Sequence, residues 1–252
     1  MLRRVAGLAA RAVDGPVVVV GAPGQTLPPL PAWTELATDA REGRGPLQGL
    51  AAGLAAVGDR AEVAFVTATD APLLHPAFIA CVTSALSEEY DAAVPEVGGH
   101  RQPLAAAYRP SLADLVRDLV SAGRLGSRSL FERCRVRFLS ERYLLADAAI
   151  ARADPGLCAV TNLNDPDDYE RALTLPAPEV ELRIDGAPAM ASSAWSLGAL
   201  AAGAGVQLDP SVLVELNGRS VAADPELPLV PADSVWLRRQ PPARNPAGGS
   251  VA

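Results

Sequence analysis

Apolar positions recur at helical spacing from the start of the chain. Leu2, Val5, Leu8, Ala9 and Ala12 share one face, which predicts an opening helix. Asp14-Gly15-Pro16 ends it, and Val17 to Val20 is a continuous apolar run of the kind buried in parallel sheets. Prolines 23, 28, 29 and 31 predict an irregular loop. Leu47 to Val57 reads as a helix, Val63 to Thr67 as a second buried strand, Pro76 to Leu86 as a helix and Ala92 to Pro95 as a third strand. Gln102 to Tyr108 alternates loosely and is expected to run antiparallel. Ser111 is placed to cap a helix through Val120, with Gly123 as its stop. Val136 to Leu139 and Ala159 to Asn162 read as short strands. Asp165 then caps a helix with Pro166 at its first position and Asp168 three residues after the cap.

Strands that alternate with helices imply βαβ units and a mostly parallel sheet, an α/β fold. The pattern changes after the proline-rich stretch at 175–179, which reads as a linker. Beyond it come an alternating strand at Val180 to Ile184 with a turn at Gly186, a short helix at Leu197 to Ala204, and a strand at Val212 to Leu216. Asn217-Gly218 is a hairpin turn signal, and Ser234 to Leu237 is a last strand. The expected organisation is a domain at 1–174, a small α+β domain at 180–239 and a disordered tail at 240–252.

Composition narrows the function classes. The chain has 252 residues, 49% hydrophobic, and a formal net charge of −7. That balance argues against nucleic acid, whose phosphates are gripped through basic surface. All 22 basic residues are arginine, so no lysine ammonium is available as a phosphate clamp. Cys81, Cys134 and Cys158 stand singly, as buried thiols in a reducing compartment do. No apolar run reaches membrane-spanning length, and the expected location is the cytoplasm without a membrane partner.

Three segments carry chemistry, each where an expected strand meets an expected helix, the crevice in which open α/β sheets bind ligands. Asp70, in Thr69-Asp70-Ala71-Pro72, can hold Mg²⁺ with substrate phosphate oxygens, or can merely cap the following helix. In Gly45-Pro46-Leu47-Gln48-Gly49 the glycines Gly45 and Gly49 allow close approach of a base, and a helix start offers free N–H groups; an ordinary helix entry is the alternative. Asp39 precedes this turn and can accept from a base or ribose. Arg101 can grip a phosphate or lie solvated, with Gln102 beside it. Asn162 and Asn164 can complete a metal or ribose site, or cap a helix.

As an ordered set, Asp-Ala-Arg-Glu-Gly-Arg-Gly-Pro-Leu-Gln-Gly-Leu at 39–50, Asp-Ala-Pro at 70–72, Arg-Gln-Pro-Leu at 101–104 and Asn-Leu-Asn-Asp-Pro at 162–166 resemble the MobA-type nucleotidyltransferases, the molybdenum cofactor guanylyltransferases. The resemblance implies a Rossmann-like three-layer sheet and transfer of GMP from GTP to the molybdopterin cofactor, with Mg²⁺ and release of pyrophosphate. It makes Asp70 the metal and nucleotide residue and Asp39 a nucleotide contact. Gly45, Pro46, Leu47 and Gly49 become the base-binding wall, and Arg101, Gln102, Asn162 and Asn164 fall on the acceptor side. Such enzymes also carry a first strand and a glycine-rich, lysine-containing turn that cradles the triphosphate. No segment of this sequence matches it, so the sheet is expected to lack its first strand, with two edges exposed, through a start assigned too far downstream or in a non-catalytic remnant. Whether the chain as written is an enzyme stays open, and it is expected not to turn over GTP.

Residues 180–239 more loosely resemble the ThiS/MoaD β-grasp sulfur carriers, and Gly248-Gly249 is followed by three further residues. The alternatives are a nucleotidyltransferase of the same fold that uses CTP or a sugar or alcohol phosphate, and a non-catalytic carrier or scaffold working through the β-grasp domain.

Overall fold

In the computed structural model, which describes residues 1–39, 45–163 and 165–239, the chain divides into two units, Met1–Leu175 and Pro176–Ala252. The first unit runs α1 (Leu2–Ala10), β1 (Val17–Gly21), β2 (Thr34–Thr38), α2 (Pro46–Val57), β3 (Ala64–Thr67), α3 (Pro76–Ser84), β4 (Ala92–Val97), β5 (His100–Arg101), β6 (Ala105–Tyr108), α4 (Ala113–Ser121), α5 (Ser127–Phe131), β7 (Val136–Ser140), α6 (Glu141–Leu145), α7 (Ala148–Ala153) and α8 (Pro166–Leu173). Its sheet is mixed. β3 pairs antiparallel with β6, β6 antiparallel with β4, and β4 parallel with β7; β5 folds back on the end of β4. β1 and β2 form a separate parallel pair.

Helices cover both faces. Leu47, Leu50 and Leu54 of α2 and Val116 and Leu119 of α4 bury one face together with Val94, Ala106 and Tyr108. On the other face Phe78 of α3 meets Phe65 of β3 edge-on, ring centroids 6.4 Å apart. The small side chains of Ala92, Ala93 and Ala105 to Ala107 are fully buried, so the helices lie close on the sheet.

The expected helices at 2–12, 47–57, 76–86 and 166–173 and the strands at 17–20, 63–67, 92–95 and 136–139 form, with ends shifted by at most two residues. Three local expectations are corrected. Thr34–Thr38 is a strand outside the proline loop; it is an edge strand, mostly exposed, and so carries no apolar period. Ala159 to Asn162 is not a strand. Cys158–Val160 is a 3₁₀ turn entered through Leu157 at φ 51°, with the Asp154 carboxylate accepting the N–H groups of Cys158 and Ala159 at 2.7 and 2.8 Å. Ser111 does not cap α4, because Pro110–Leu112 is already a 3₁₀ turn and α4 begins at Ala113 without a side-chain cap.

The second unit contains β8 (Glu179–Ile184), β9 (Met190–Ser193), α9 (Leu197–Gly203), β10 (Val212–Leu216), β11 (Arg219–Val221) and β12 (Ser234–Arg239). Its five-stranded sheet has the order β11-β10-β12-β8-β9, with β12 and β8 parallel and the other pairs antiparallel. Alternate residues Val180, Leu182, Val214, Leu216, Val235 and Leu237 pack on Leu197 and Leu200 of α9. Asn217 and Gly218 both take positive φ, 52° and 78°, as a tight hairpin with right-handed twist requires. Asn217 also ties the turn to β12: its Nδ2 donates to Asp233 and its Oδ1 accepts from the Ser234 N–H, at 2.9 and 2.8 Å. The tail at 240–252, expected to be disordered, lies outside the described residues. Among the described residues no helix is long and apolar enough to cross a membrane.

Candidate functional site at the carboxyl ends of the strands

β3 ends at Thr67, and the turn that follows delivers Asp70 to the carboxyl end of the sheet. One carboxylate oxygen of Asp70, Oδ1, is buried and has no hydrogen-bond partner among the described residues. The Oδ1 of Asp39 is in the same condition. Asp39 follows β2 and is held at the carboxyl end of β1, its N–H donating to the Gly21 carbonyl at 2.8 Å. A buried carboxylate oxygen without a donor is costly, and one at the carboxyl end of each of the two strand groups points to groups that bind there.

Three backbone ties gather other segments around Asp70. The N–H of Leu163 donates to the Asp70 carbonyl at 2.9 Å, which brings Asn162 beside it. Ala68 donates to the Leu104 carbonyl at 3.2 Å and Ala105 to the Gln102 carbonyl at 3.1 Å, so the turn carrying Gln102 lies next to the Asp70 turn. Arg4 of α1 donates through Nε to the Pro72 carbonyl at 2.8 Å.

The start of α2 is built for close approach. Gly45 holds φ 74° and ψ −179°, a region reserved for glycine, and Pro46 occupies the first helical position. Pro46, Gly49 and Asp70 line one cavity of about 600 Å³ with Leu50, Thr67 and Leu104. Leu47, expected in the base-binding wall, places its side chain in the core. It lies one residue past Pro46, on the face of α2 turned to the sheet.

Arg101 lies apart from Asp70. Its guanidinium stacks on the ring of Phe138 in β7, 4.2 Å from the centroid, beside a second cavity that includes Glu96 and Glu141. Arg101 therefore stands at the β4–β7 side of the sheet. Asn164 and residues 40–44 lie outside the described residues. Asp154 was not anticipated. Buried, with both oxygens accepting backbone N–H groups, it shapes the loop that leads to Asn162 and Leu163. Its only signal in the sequence is the turn Asp154-Pro155-Gly156.

Among the described residues no three His, Cys, Asp or Glu side chains gather into a metal cage. Mg²⁺ needs none, since one carboxylate with substrate phosphates and water suffices. The thiols are passive: burial raises Cys81, and burial pushes Cys134 up to about 11.

The sequence pattern of the MobA-like NTP transferase domain matches residues 1–138. The molybdenum cofactor guanylyltransferase of Desulfosudis oleivorans is 31% identical over 173 residues, 68% of this chain and 80% of that protein. A probable molybdenum cofactor guanylyltransferase of Mycobacterium avium is 35% identical over 133 residues, 52% of this chain and 66% of that one. Among solved structures, molybdopterin-guanine dinucleotide biosynthesis protein A from Archaeoglobus fulgidus is similar at 28% identity and a TM-score of 0.44, over 55% of this chain and 66% of that one.

Proposed function

This chain belongs to the MobA-like NTP transferase family, and from that premise we propose that its first unit is a molybdenum cofactor guanylyltransferase module, binding GTP and molybdopterin. The single observation that carries the proposal is Asp70: a carboxylate just past the carboxyl end of β3 with a buried oxygen left without a donor among the described residues. Magnesium held by Asp70 would neutralise charge on the phosphates and on the departing pyrophosphate. In the reaction, a phosphate oxygen of the acceptor forms a bond to the α-phosphorus of GTP as the α–β bond breaks, and pyrophosphate leaves.

The protein's own part is positioning. The Gly45–Gly49 helix start supports the base; Asp39 accepts from the base or ribose; Gln102 and Asn162 stand beside Asp70 toward the acceptor. These roles rest on the place of each residue at the strand ends. The given sequence contains no lysine and no Leu-x-Gly-Gly-x-Ser turn, so the roles proposed here are those of the base, ribose, metal and acceptor sides.

For the second unit we retain the β-grasp reading, supported by a mixed five-stranded sheet with parallel β8 and β12 against one helix. Titration of the purified chain with magnesium GTP and magnesium CTP tests the main proposal, with Asp70→Asn alongside. A preference for GTP that the variant loses, with its fold intact by circular dichroism, supports it. Equal binding of CTP, or undiminished binding by Asp70→Asn, overturns it.

A further inference from the structure

The turn that carries Asp70 has few soft dihedrals of its own. The ring of Pro72 fixes its own φ and keeps the residue before it, Ala71, out of the helical region. Ala71, Pro72 and Leu74 are buried. Asp70 therefore rides on a stiff piece of chain, and the direction of its carboxylate follows how the next carbonyls are held.

Three carbonyls in succession are held, each by a different donor. Asp70 accepts from the Leu163 N–H at 2.9 Å and Ala71 from the Leu74 N–H at 3.2 Å. Pro72 accepts from Arg4 Nε at 2.8 Å. The first two donors are backbone groups. The third is a side chain 68 residues away in the sequence.

Arg4 is built to be a fixed donor. The four residues that follow it in α1, Val5, Ala6, Gly7 and Leu8, are all buried, and the helix packs on β1 and on α3. The stem of Arg4 thus leaves a backbone that is itself anchored. No acidic residue occurs between Leu2 and Ala10, so no carboxylate of the same helix draws the guanidinium away. On the receiving side, a buried carbonyl that loses its donor must pay for desolvation or turn toward water. Because Ala71 and Pro72 are stiff, a rotation at the Pro72 carbonyl is passed back to Asp70.

We propose that Arg4 is a positioning residue: its Nε, through the Pro72 carbonyl, keeps the Asp70 carboxylate aimed into the crevice at the strand ends. The role belongs to the N–H donor and not to the positive charge. Its consequence for nucleotide binding rests on the function proposed above; its consequence for the turn does not.

Two substitutions separate donor from charge. Arg4→Gln puts an amide N–H donor where Nε stands, at the same distance along the side chain, and removes the charge. Arg4→Met keeps an apolar stem and removes the donor. Both are made in the full chain, checked for fold by circular dichroism and read by NMR without nucleotide. In Arg4→Met the amides of Leu74 and Leu163 are expected to exchange about tenfold faster, while those of β4 keep their wild-type rates. The side-chain carboxyl carbon signal of Asp70 should shift in the same variant. Arg4→Gln should hold both readouts at wild type. Titration with magnesium GTP should then show binding about tenfold weaker for Arg4→Met and within about twofold of wild type for Arg4→Gln.

Wild-type exchange at Leu163 with an unmoved Asp70 signal in Arg4→Met would overturn the proposal. Equal effects of the two variants would transfer the role to the charge and overturn it too. Faster exchange spread evenly over α3, β3 and β4, or loss of the fold, would reduce Arg4 to a docking contact of α1, against the proposal. A wild-type chain that binds no magnesium GTP would count against the guanylyltransferase reading, and the readouts without nucleotide would still decide the role of Arg4.

Discussion

The N–H of Leu163 donates to the carbonyl of Asp70 at 2.9 Å, across more than ninety residues of chain. The bond uses the backbone of Asp70 and leaves its carboxylate free to bind. It also fixes where Asn162 stands, and the loop that makes it possible is shaped from behind by Asp154.

Asp154→Ala removes the acceptor of two N–H groups, Cys158 at 2.7 Å and Ala159 at 2.8 Å, the second of them fully buried. An unsatisfied buried donor costs about 1–3 kcal/mol, so the variant should unfold at lower urea. The local readout is sharper: exchange of the Leu163 amide should accelerate more than that of amides in β4. A variant with wild-type protection at Leu163 would show that the loop is set by other contacts.

Gly45→Ala places a Cβ on a residue at φ 74° and ψ −179°. The nearest atom lies 3.8 Å from that Cβ, so the expected penalty is backbone strain and not a clash. About 1–3 kcal/mol follows from a conformation only glycine takes freely. Thermal unfolding measures it, and loss of order should appear first at Pro46 and Leu47.

Asp91 joins β4 to β7 through Arg135, accepting from its backbone N–H at 2.9 Å and from its guanidinium at 2.7 Å. The hydrogen bond from the Arg135 side chain, helped by its charge and that of Arg109, holds the Asp91 carboxyl below its ordinary value. The stabilisation is therefore present above the unfolded carboxylate value near pH ~3.9 and is lost as pH falls through the lower folded value. Arg135 is largely exposed, so about 1 kcal/mol is expected. Asp91→Asn should lower stability at neutral pH by that amount and flatten the acid limb of the stability curve. An unchanged acid limb would remove the pair from the list of acid-sensitive contacts.

The three thiols should separate in alkylation. Burial pushes Cys134 up to about 11, so at pH ~8 roughly a thousandth of it is thiolate, the reactive form. Cys81 is buried and raised as well. Cys158 is exposed and should take iodoacetamide first, even though burial of its sulfur and the nearby Asp154 raise it too. Mass spectrometry of timed samples checks the order; early labelling of Cys134 would contradict its burial behind α4 and β4.

Much of the fold was legible because burial imposes a period. Val17 to Val20, Ala64 to Val66 and Ala92 to Pro95 are apolar runs because helices cover both faces, and Asp165 announces α8 by accepting the Asp168 N–H at 2.7 Å. β2 was hidden for the opposite reason, since an exposed edge strand needs no apolar side chains. Ala159 to Asn162 reads as a strand because its letters do not reveal that Asp154 captures the N–H groups of Cys158 and Ala159 in a 3₁₀ turn.

By itself the sequence determined the elements, the glycine-dependent turn at Gly45 and the ordered motifs that mark the family, all set by local sterics, periodicity and residue chemistry. Tertiary structure alone decided which of those motifs meet. It joined Asp70 to Leu163 and to the Gln102 turn through backbone hydrogen bonds, sent Arg101 to the Phe138 ring, and turned Leu47 into the core. It also set β1 and β3 along one largely apolar cavity, an arrangement that depends on how distant strands are spaced and that no local pattern encodes.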